Sequence, residues 1–320
     1  MTDKPKERSV LRNKVSLIKS KAFELGFAAC GIASAHALPE DAAYLRQWLR
    51  EGHQGDMTYL EKYADKREDV SLLLSHAKSV IVVLYAYQQG QRQPVDAPRL
   101  AKYTYGNDYH FVIKQRLQLL LEFIQQEIQP AEGKVCCDTA PVFERRWAQQ
   151  AGLGWIGTNK CLIHPTGGSY FLIGEIVTDL ELEYDSPMEG DCGNCGLCVS
   201  SCPTHALTSS GVFHAERCIS YLTIESKESE INRAFQPLLN QYIAGCDICQ
   251  DVCPWNLNWQ APSPLTEQDD PLWKMNREDW QNLTASAYKK LTKKSALNRI
   301  PYQRMKRNLQ AIGIEKPENE

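Results

Sequence analysis

The sequence has 320 residues with a formal net charge of -3, and 43% of them are hydrophobic. That length accommodates one large domain or two ordinary ones, each able to bury its own core. The slightly acidic balance excludes a globally basic nucleic-acid-binding protein. The first 21 residues are charged throughout, and no later segment approaches the apolar length of a membrane helix. We therefore expect a cytoplasmic protein in a reducing setting, with no secretory signal and no membrane partner.

Residues 1–185 predict a mixed α/β domain. Helical apolar spacing alternates there with short β-branched runs, of which SVIVVLYAY is typical of a buried strand. The second long helix should end before Pro130. The predicted helices are 10–25, 112–128 and 142–150, and the predicted strands are 27–32, 79–87, 134–137 and 170–177.

Two polar positions in this domain are candidates for chemistry. Asp138 follows a predicted strand and precedes a helix, which is where α/β folds place ligands. Among apolar neighbours its pKa would rise, so that it could donate a proton, although an N-cap role fits the position equally well. Asp108-Tyr109-His110 is the second candidate. The cobalt-binding pattern DxHxxG is not completed there, because Ile113 replaces the glycine, so the residues alone indicate no cobalamin ligand.

A glycine-rich stretch, Gly152 to Gly157, matches the dinucleotide-binding pattern GxGxxG. That fingerprint needs a strand before it and a helix after it, whereas this stretch follows a helix and leads into a strand. We expect a loop that approaches another segment closely rather than a nicotinamide site.

Beyond an acidic, Pro- and Gly-containing linker at 184–190, eight of the twelve cysteines form two groups with CxxC spacing and a Cys-Pro ending. The first group is Cys192, Cys195, Cys198 and Cys202. The second group is Cys218, Cys246, Cys249 and Cys253. A predicted helix at 219–239 separates Cys218 from the rest of its group.

The CxxCxxCxxxCP spacing is typical of ferredoxins with two clusters, in which the fourth cysteine of one run binds the other cluster. The expected ligand sets are therefore Cys192, Cys195, Cys198 and Cys253 for one 4Fe-4S cluster, and Cys202, Cys218, Cys246 and Cys249 for the other. Zinc is the first alternative, but zinc sites usually separate their CxxC pairs by a dozen residues or more. Disulfides are the second, and they would need an oxidising compartment.

The last part of the chain carries a basic run. Between residues 281 and 310 there is no Asp or Glu. The run contains Lys289, Lys290, Lys293, Lys294, Arg299, Arg304, Lys306 and Arg307. It indicates either a solvated helical face or a surface for a phosphate backbone.

Six stretches of the chain carry a family resemblance. They are YTYGNDYH (103–110), DTAPVFER (138–145), GLGWIGTNKCLI (152–163), CGNCGLCVSSCPTHAL (192–207), CISYLTIE (218–225) and GCDICQDVCPWN (245–256). In this order they resemble the epoxyqueuosine reductases of tRNA modification, over most of the chain from about residue 11 to 308.

The resemblance implies an α+β protein with an N-terminal α/β cobalamin-binding domain, a ferredoxin-like domain with two 4Fe-4S clusters and a basic helical C-terminal segment. The linker lies near the first boundary. The expected ranges of these three parts are 1–185, 186–260 and 261–320. The implied reaction reduces the epoxide of epoxyqueuosine, at the tRNA wobble position, to the alkene of queuosine with loss of water. The implied partners are the tRNA anticodon stem-loop and an external low-potential electron donor, and we expect a monomer.

The resemblance also implies roles for individual residues. Asp138 matches the family's general acid, and the family's cobalamin is held base-off with no protein histidine below cobalt. The implied cobalamin contacts are Arg67, Asp108, Tyr109, Asp138, Lys160, Ser220, Asp247 and Gln250.

Two other functions stay open on the sequence. A reductase of small molecules, similar to the reductive dehalogenases, would share cobalamin and paired clusters, but it would not need a basic tail. A plain electron-transfer protein would need the clusters alone, and it would leave the first domain without a role.

Overall fold

The computed structural model of the chain describes residues 4–87, 93–257 and 270–314. The predicted start of the C-terminal segment, at 261–269, and its last six residues lie outside the described residues. None of the described helices is both long enough and apolar enough to cross a bilayer.

Helices and strands alternate along the described chain. The strands are β1 (Ala29–Ser34), β2 (Ser79–Ala86), β3 (Arg99–Leu100), β4 (Gly133–Cys136), β5 (Trp155–Ile156), β6 (Leu162–Ile163), β7 (Phe171–Thr178) and β8 (Tyr242–Ala244). The α-helices are α1 (Lys4–Glu24), α2 (Pro39–Arg50), α3 (Tyr59–Lys62), α4 (Ala64–Glu68), α5 (Tyr109–Phe123), α6 (Glu144–Gln150), α7 (Leu197–Ser200), α8 (Ile219–Ile224), α9 (Ile248–Asp251), α10 (Arg277–Gln281), α11 (Ala285–Thr292) and α12 (Tyr302–Ala311).

The elements predicted for the first domain are confirmed, with ends that move by a few residues. A π-helical turn at Ile124–Ile128 extends α5, so that this helical segment ends before Pro130 as expected. Gly152 to Gly157 follows α6, contains β5 and leads toward β6, so a helix precedes it and no helix directly follows it. The dinucleotide-binding pattern was therefore rightly rejected. A Cβ atom on Gly154 would lie 2.3 Å from the Ile163 carbonyl oxygen, so glycine permits the close approach of this loop to β6.

The central sheet has the strand order β1-β2-β7-β4, and every pair in it is antiparallel. Successive side chains of β2 point to opposite faces, and both faces are buried. Ile81, Val83 and Tyr85 pack in one core cluster with residues of α1 and α5. Val80, Val82 and Leu84 pack in another with Trp147 of α6.

The antiparallel sheet removes the argument that singled out Asp138 as a ligand position, because that argument applies to parallel α/β sheets. A strand buried on both faces reads as a continuous apolar run in either orientation, so β2 does not reveal its direction in the sequence. Asp138 does follow β4 and precede α6. However, ligands bind at the carboxyl ends of strands in parallel α/β sheets, and β4 belongs to an antiparallel sheet.

The helix predicted at 219–239 is also wrong. Only α8 and a short 3-10 turn at Gln236–Leu239 are helical there. Arg307 of α12 explains the break, because its buried guanidinium donates to the carbonyl oxygens of Leu222, Ser226 and Glu228. These bonds stabilise the irregular backbone after α8 by satisfying carbonyl oxygens there.

The C-terminal helices pack against both earlier parts of the chain. Asn308 of α12 donates to the Thr223 and Ile243 carbonyl oxygens, each at 2.8 Å. Trp273 stacks on Tyr105 with ring centroids 3.7 Å apart. The parallel pairing of β3 with β8 adds a further link between the first part of the chain and the cysteine-rich part. The boundaries 1–185, 186–260 and 261–320 stay a prediction.

Candidate active site and cluster centres

A cavity of about 390 Å³ lies where the three parts of the chain meet. Its walls combine acidic, aromatic and thiol groups with arginines of the basic run. Residues that line it include Tyr109, Asp138, Cys218, Ser220, Arg299 and Arg304. A molecule bound there would therefore contact a carboxylate on one side and a cysteine thiol on another.

Asp138 is held by three partners. Its Oδ2 lies 2.8 Å from His110 Nε2 and 2.9 Å from Arg299 Nη1. Its backbone adopts a left-handed conformation with φ of 56°, and its N–H donates to the Glu144 carboxylate. Such a backbone is uncommon for a residue other than glycine, and aspartate is among those that tolerate it best. The strained turn aims the carboxylate at the cavity.

The pKa of Asp138 moves in the direction opposite to our expectation. Burial raises it, but the hydrogen bonds and positive charges of His110 and Arg299 outweigh burial and hold the pKa at about 2. The expectation of a neutral Asp138 is therefore wrong for this conformation. The apolar neighbours of Asp138 in the sequence indicated a raised pKa, but Arg299, 161 residues away, lies beside the carboxylate in the fold.

His110 bridges Asp108 and Asp138. Its Nδ1 lies 2.6 Å from Asp108 Oδ1, and its Nε2 faces Asp138. Burial lowers the pKa of His110, but the hydrogen bonds to Asp108 and Asp138 raise it overall. Asp108 also caps α5 by accepting from the His110 N–H at 3.0 Å. The three side chains form a chain of hydrogen bonds through which a proton can reach the cavity.

A second carboxyl pair lies behind this chain and was not anticipated from the sequence. Burial, followed by the charge of Asp138, raises the pKa of Glu144 to about 8. Glu175 of β7 is fully buried opposite Cys136, and neither of its carboxylate oxygens has a partner among the described residues. Its pKa is raised by burial and by the charges of Glu144 and Asp138. A buried charged residue within an apolar strand was the signal that could have identified it.

The cavity is lined by some of the predicted cobalamin contacts and not by others. Tyr109, Asp138 and Ser220 line it, and Asp108 stands behind His110. The remaining four have other partners. Arg67 donates to the Tyr63 carbonyl oxygen, Lys160 to that of Gly211, and Gln250 to the Tyr87 hydroxyl, and Asp247 accepts from the Lys102 N–H.

The cysteine thiols fall into two neighbourhoods. Burial, and then the thiols of Cys192 and Cys253, raise the pKa of Cys198. Burial, and then the thiols of Cys218 and Cys202, raise the pKa of Cys246. Cys253 thus lies near the first run of cysteines, and Cys202 near the second group.

Cys161 is a ninth cysteine in this region. Burial raises its pKa to about 11, and the thiols of Cys253 and Cys218 both contribute. It therefore lies near both neighbourhoods. Its spacing from the other cysteines carried no signal in the sequence.

The thiol spacing distinguishes between the metal centres considered. With Zn–S bonds of about 2.3 Å, four thiolates around one zinc ion would lie about 3.8 Å apart. Among the described residues, no three cysteines bring their sulfur atoms within 4.8 Å of one another. The thiols are too widely spaced for mononuclear zinc, and the larger 4Fe-4S cluster fits them better.

The histidine at the cavity agrees with the implied absence of a protein ligand to cobalt. His110 is the one histidine among the cavity-lining residues that the structure describes. Both of its ring nitrogens are engaged, by Asp108 and by Asp138 with Arg299. It is therefore not free to bind cobalt, which agrees with a cobalamin held without a protein histidine.

Comparison with known proteins gives independent evidence on the family of this chain. Residues 67–139 match the family profile described as "Epoxyqueuosine reductase QueG, DUF1730", and residues 191–256 match a 4Fe-4S double cluster binding domain. An epoxyqueuosine reductase of Cellulophaga algicola is 42% identical over 92% of this chain and 96% of its own length. The epoxyqueuosine reductase of Cyclobacterium marinum is 40% identical over 96% of this chain and 99% of its own length.

Solved structures give the same result. The epoxyqueuosine reductase of Streptococcus thermophilus superposes with a TM-score of 0.82 at 29% identity, covering 92% of this chain and 80% of its own. Another, crystallised with an epoxyqueuosine-modified tRNA-Tyr stem loop, also has a TM-score of 0.82, at 27% identity, with coverage of 94% and 81%.

We propose that the two thiol neighbourhoods are the ligand sets expected from the spacing, and single substitutions test this. Cys202→Ala should remove the same cluster as Cys218→Ala, although Cys202 is adjacent in sequence to the other set. Cys198→Ala and Cys253→Ala should both remove the other cluster. Each variant should lose about half of its iron. The two variants of each pair should give the same electron paramagnetic resonance spectrum, and the two pairs should differ from each other. If Cys202→Ala instead matched Cys198→Ala, the exchange of ligands between the runs would be wrong.

Proposed function

The chain belongs to the epoxyqueuosine reductase family, and we propose that it reduces the epoxide of epoxyqueuosine at the wobble position of a tRNA anticodon. The product is the alkene of queuosine. The reaction takes up two electrons and two protons, and the epoxide oxygen leaves as water. The observation that carries the proposal is that Asp138 and Cys218 line one cavity. This supports a proton source and an electron entry point on either side of the same space.

Members of this family depend on 4Fe-4S clusters and cobalamin. The eight cysteines of the two neighbourhoods would hold the clusters, and Tyr109, Asp138 and Ser220 would contact the cobalamin. When bound, these groups supply single electrons and a reducing cobalt centre next to the substrate. We further propose an external low-potential electron donor, a monomeric enzyme and a cytoplasmic setting, where the tRNA substrate is found.

Proton delivery starts from the ionised Asp138. In the free enzyme Arg299 and His110 keep the proton off this carboxylate. An RNA phosphate that attracts Arg299 away from Asp138 would remove one of the charges that lower its pKa. The carboxylate could then take the His110 proton and pass it to the epoxide oxygen as the C–O bond breaks. Asp108 would hold the histidine in the required orientation.

The basic run provides the surface for RNA, with one correction. Lys289, Lys290, Lys293, Lys294 and Lys306 are exposed. Arg307 is 6% exposed and donates to carbonyl oxygens, so it cannot serve as a phosphate contact. Arg299 and Arg304 lie at the cavity itself. Phosphates of the stem-loop would bind the exposed lysines, and the modified base would enter the cavity.

An aromatic and basic patch on α3 and α4 extends this surface. Tyr59 and Tyr63 are exposed, and the ammonium groups of Lys62 and Lys66 lie 5.4 Å and 5.5 Å from the Tyr63 ring centroid. Tyr59 is about half exposed. Partial burial, and then the charges of Glu225 and Asp138, raise the pKa of its hydroxyl to about 12, so the patch is close to the cavity. Unpaired anticodon bases can stack on such rings.

Asp138→Asn tests the proton donor. Asparagine tolerates the left-handed backbone and retains a hydrogen-bond acceptor, but it cannot release a proton to the epoxide. Queuosine formation should fall by a factor of at least about 100, while iron and cobalamin contents stay unchanged. Asp96→Asn, at an exposed loop carboxylate, is the matched control. Turnover within about twofold of wild type would show that Asp138 is not the proton donor and has only a structural role. A plain electron-transfer protein would then describe the chain better.

Asp108→Asn tests the relay through His110. The pKa of His110 is raised by its two carboxylate partners, so activity that depends on protonated His110 is lost as pH rises through that pKa. Removing the Asp108 charge should lower the pKa and move the basic limb of the pH–rate profile to lower pH. Asp96→Asn should leave the limb in place. An unmoved limb in Asp108→Asn would exclude His110 as the proton source.

The double variant Lys293→Gln, Lys294→Gln tests the RNA surface. Loss of two exposed charges should weaken binding of an anticodon stem-loop and reduce the slope of log affinity against log salt by roughly 0.7 per lost phosphate contact. Lys134→Gln, on the exposed face of β4, is the matched control. Affinity and salt slope equal to those of wild type would show that this face is only solvated.

A further inference from the structure

Three metal-ligand side chains that the reduction chemistry does not use come together beside the cysteine-rich part of the chain. His53 lies in the turn after α2, whereas His214 and Glu216 lie just before Cys218. Each offers one ligand atom, and the three atoms lie within 4.8 Å of one another. Among the described residues, this is the one set of three or more His, Cys, Asp or Glu ligands that meets this distance.

The distances are close to those of a metal site. Glu216 Oε1 lies 3.2 Å from His214 Nδ1 and 4.0 Å from His53 Nδ1. The two imidazole rings meet edge to face with centroids 4.4 Å apart. Ligand bonds of about 2.1 Å place the donors of a tetrahedral ion roughly 3.4 Å apart. A shift of well under 1 Å would therefore complete the geometry.

The other nitrogen of His53 indicates which atom is free. Its Nε2 lies 3.2 Å from a carboxylate oxygen of Glu51, so the ring proton is best placed there. The lone pair of Nδ1 then faces Glu216 Oε1, and two acceptors face each other with no proton between them. A cation between the two would resolve this contact. A carboxylate that orients a histidine from behind is the usual arrangement around protein-bound metals.

The backbone holds the two segments in register without a metal. The Glu216 N–H donates to the His53 carbonyl oxygen at 3.3 Å. Trp48 Nε1 of α2 donates to the Phe213 carbonyl oxygen at 2.6 Å. The second oxygen of Glu216 is buried and has no partner among the described residues, so it is available as an additional ligand. The site is therefore pre-organised.

We propose that His53, His214 and Glu216 bind a divalent transition-metal ion of the zinc class, with water completing the coordination. Two imidazoles and a carboxylate suit such an ion better than magnesium or calcium, which prefer oxygen ligands alone. The ion would join the turn after α2 to the segment that leads into Cys218. Phe213 and Ala215 of that segment line the cavity. The role of the ion is structural, and it is independent of the proposed reduction.

Zinc titration of the fully reconstituted enzyme, with clusters and cobalamin in place, tests the site. Isothermal titration calorimetry should show one Zn²⁺ per chain in the wild type, and zinc should raise its melting temperature. His53→Ala and Glu216→Gln should each weaken zinc binding by at least about 100-fold and abolish the rise in melting temperature. Glu51→Gln, which removes only the orienting carboxylate, should weaken zinc binding about 10- to 100-fold.

His76→Asn, at an exposed histidine with a left-handed backbone, is the control and should bind zinc like the wild type. Iron content and visible absorption show whether each variant is folded and loaded. If a ligand variant loses its clusters, Glu51→Gln decides the question. No zinc binding by the wild type would overturn the proposal. So would zinc binding by both His53→Ala and Glu216→Gln that equals that of the wild type, since it would reveal adventitious surface binding only.

Discussion

The carboxylate of Asp138, held between His110 and Arg299, is the interaction on which the site depends. It connects the first domain to the basic run, and it sets the charge at the mouth of the cavity. Arg299 and His110 hold the pKa of this carboxyl at about 2, so the carboxylate is ionised at neutral pH. In the proposed reaction, substrate phosphates would compete for the same guanidinium. RNA recognition and proton transfer would then both depend on this one contact.

The basic run is consequently part of the folded structure rather than a loose arm. Arg307 and Asn308 bind carbonyl oxygens of the cysteine-rich part, and Trp273 stacks on Tyr105 of the first part. Buried hydrogen bonds of this kind are costly to break, so they hold the walls of the cavity at fixed separation. Cys218 and Asp138 face one space only because these helices pack against both sides. The exposed lysines remain on the outer surface, where they are free to bind phosphate.

Local patterns predicted much of this, and the failures have physical causes. The cysteine spacing indicated both thiol neighbourhoods, and apolar periodicity located α1, α5, β2 and β7, since these depend on neighbours along the chain. The direction of the strands was missed because a doubly buried strand has the same pattern in either orientation. The pKa of Asp138 and the break after α8 were missed because each depends on one arginine far away in sequence. Glu175 was not anticipated, because its burial follows from the pairing of β7 with β4.

The central claim is that one cavity brings the epoxide to Asp138 and to the cluster side of the chain. A crystal structure of the reconstituted enzyme with an epoxyqueuosine-containing stem-loop tests it most directly. The epoxide oxygen should lie within about 3 Å of an Asp138 carboxylate oxygen, with Arg299 displaced toward a phosphate. A modified base bound outside the cavity, with the contact between Arg299 and Asp138 intact, would contradict the claim.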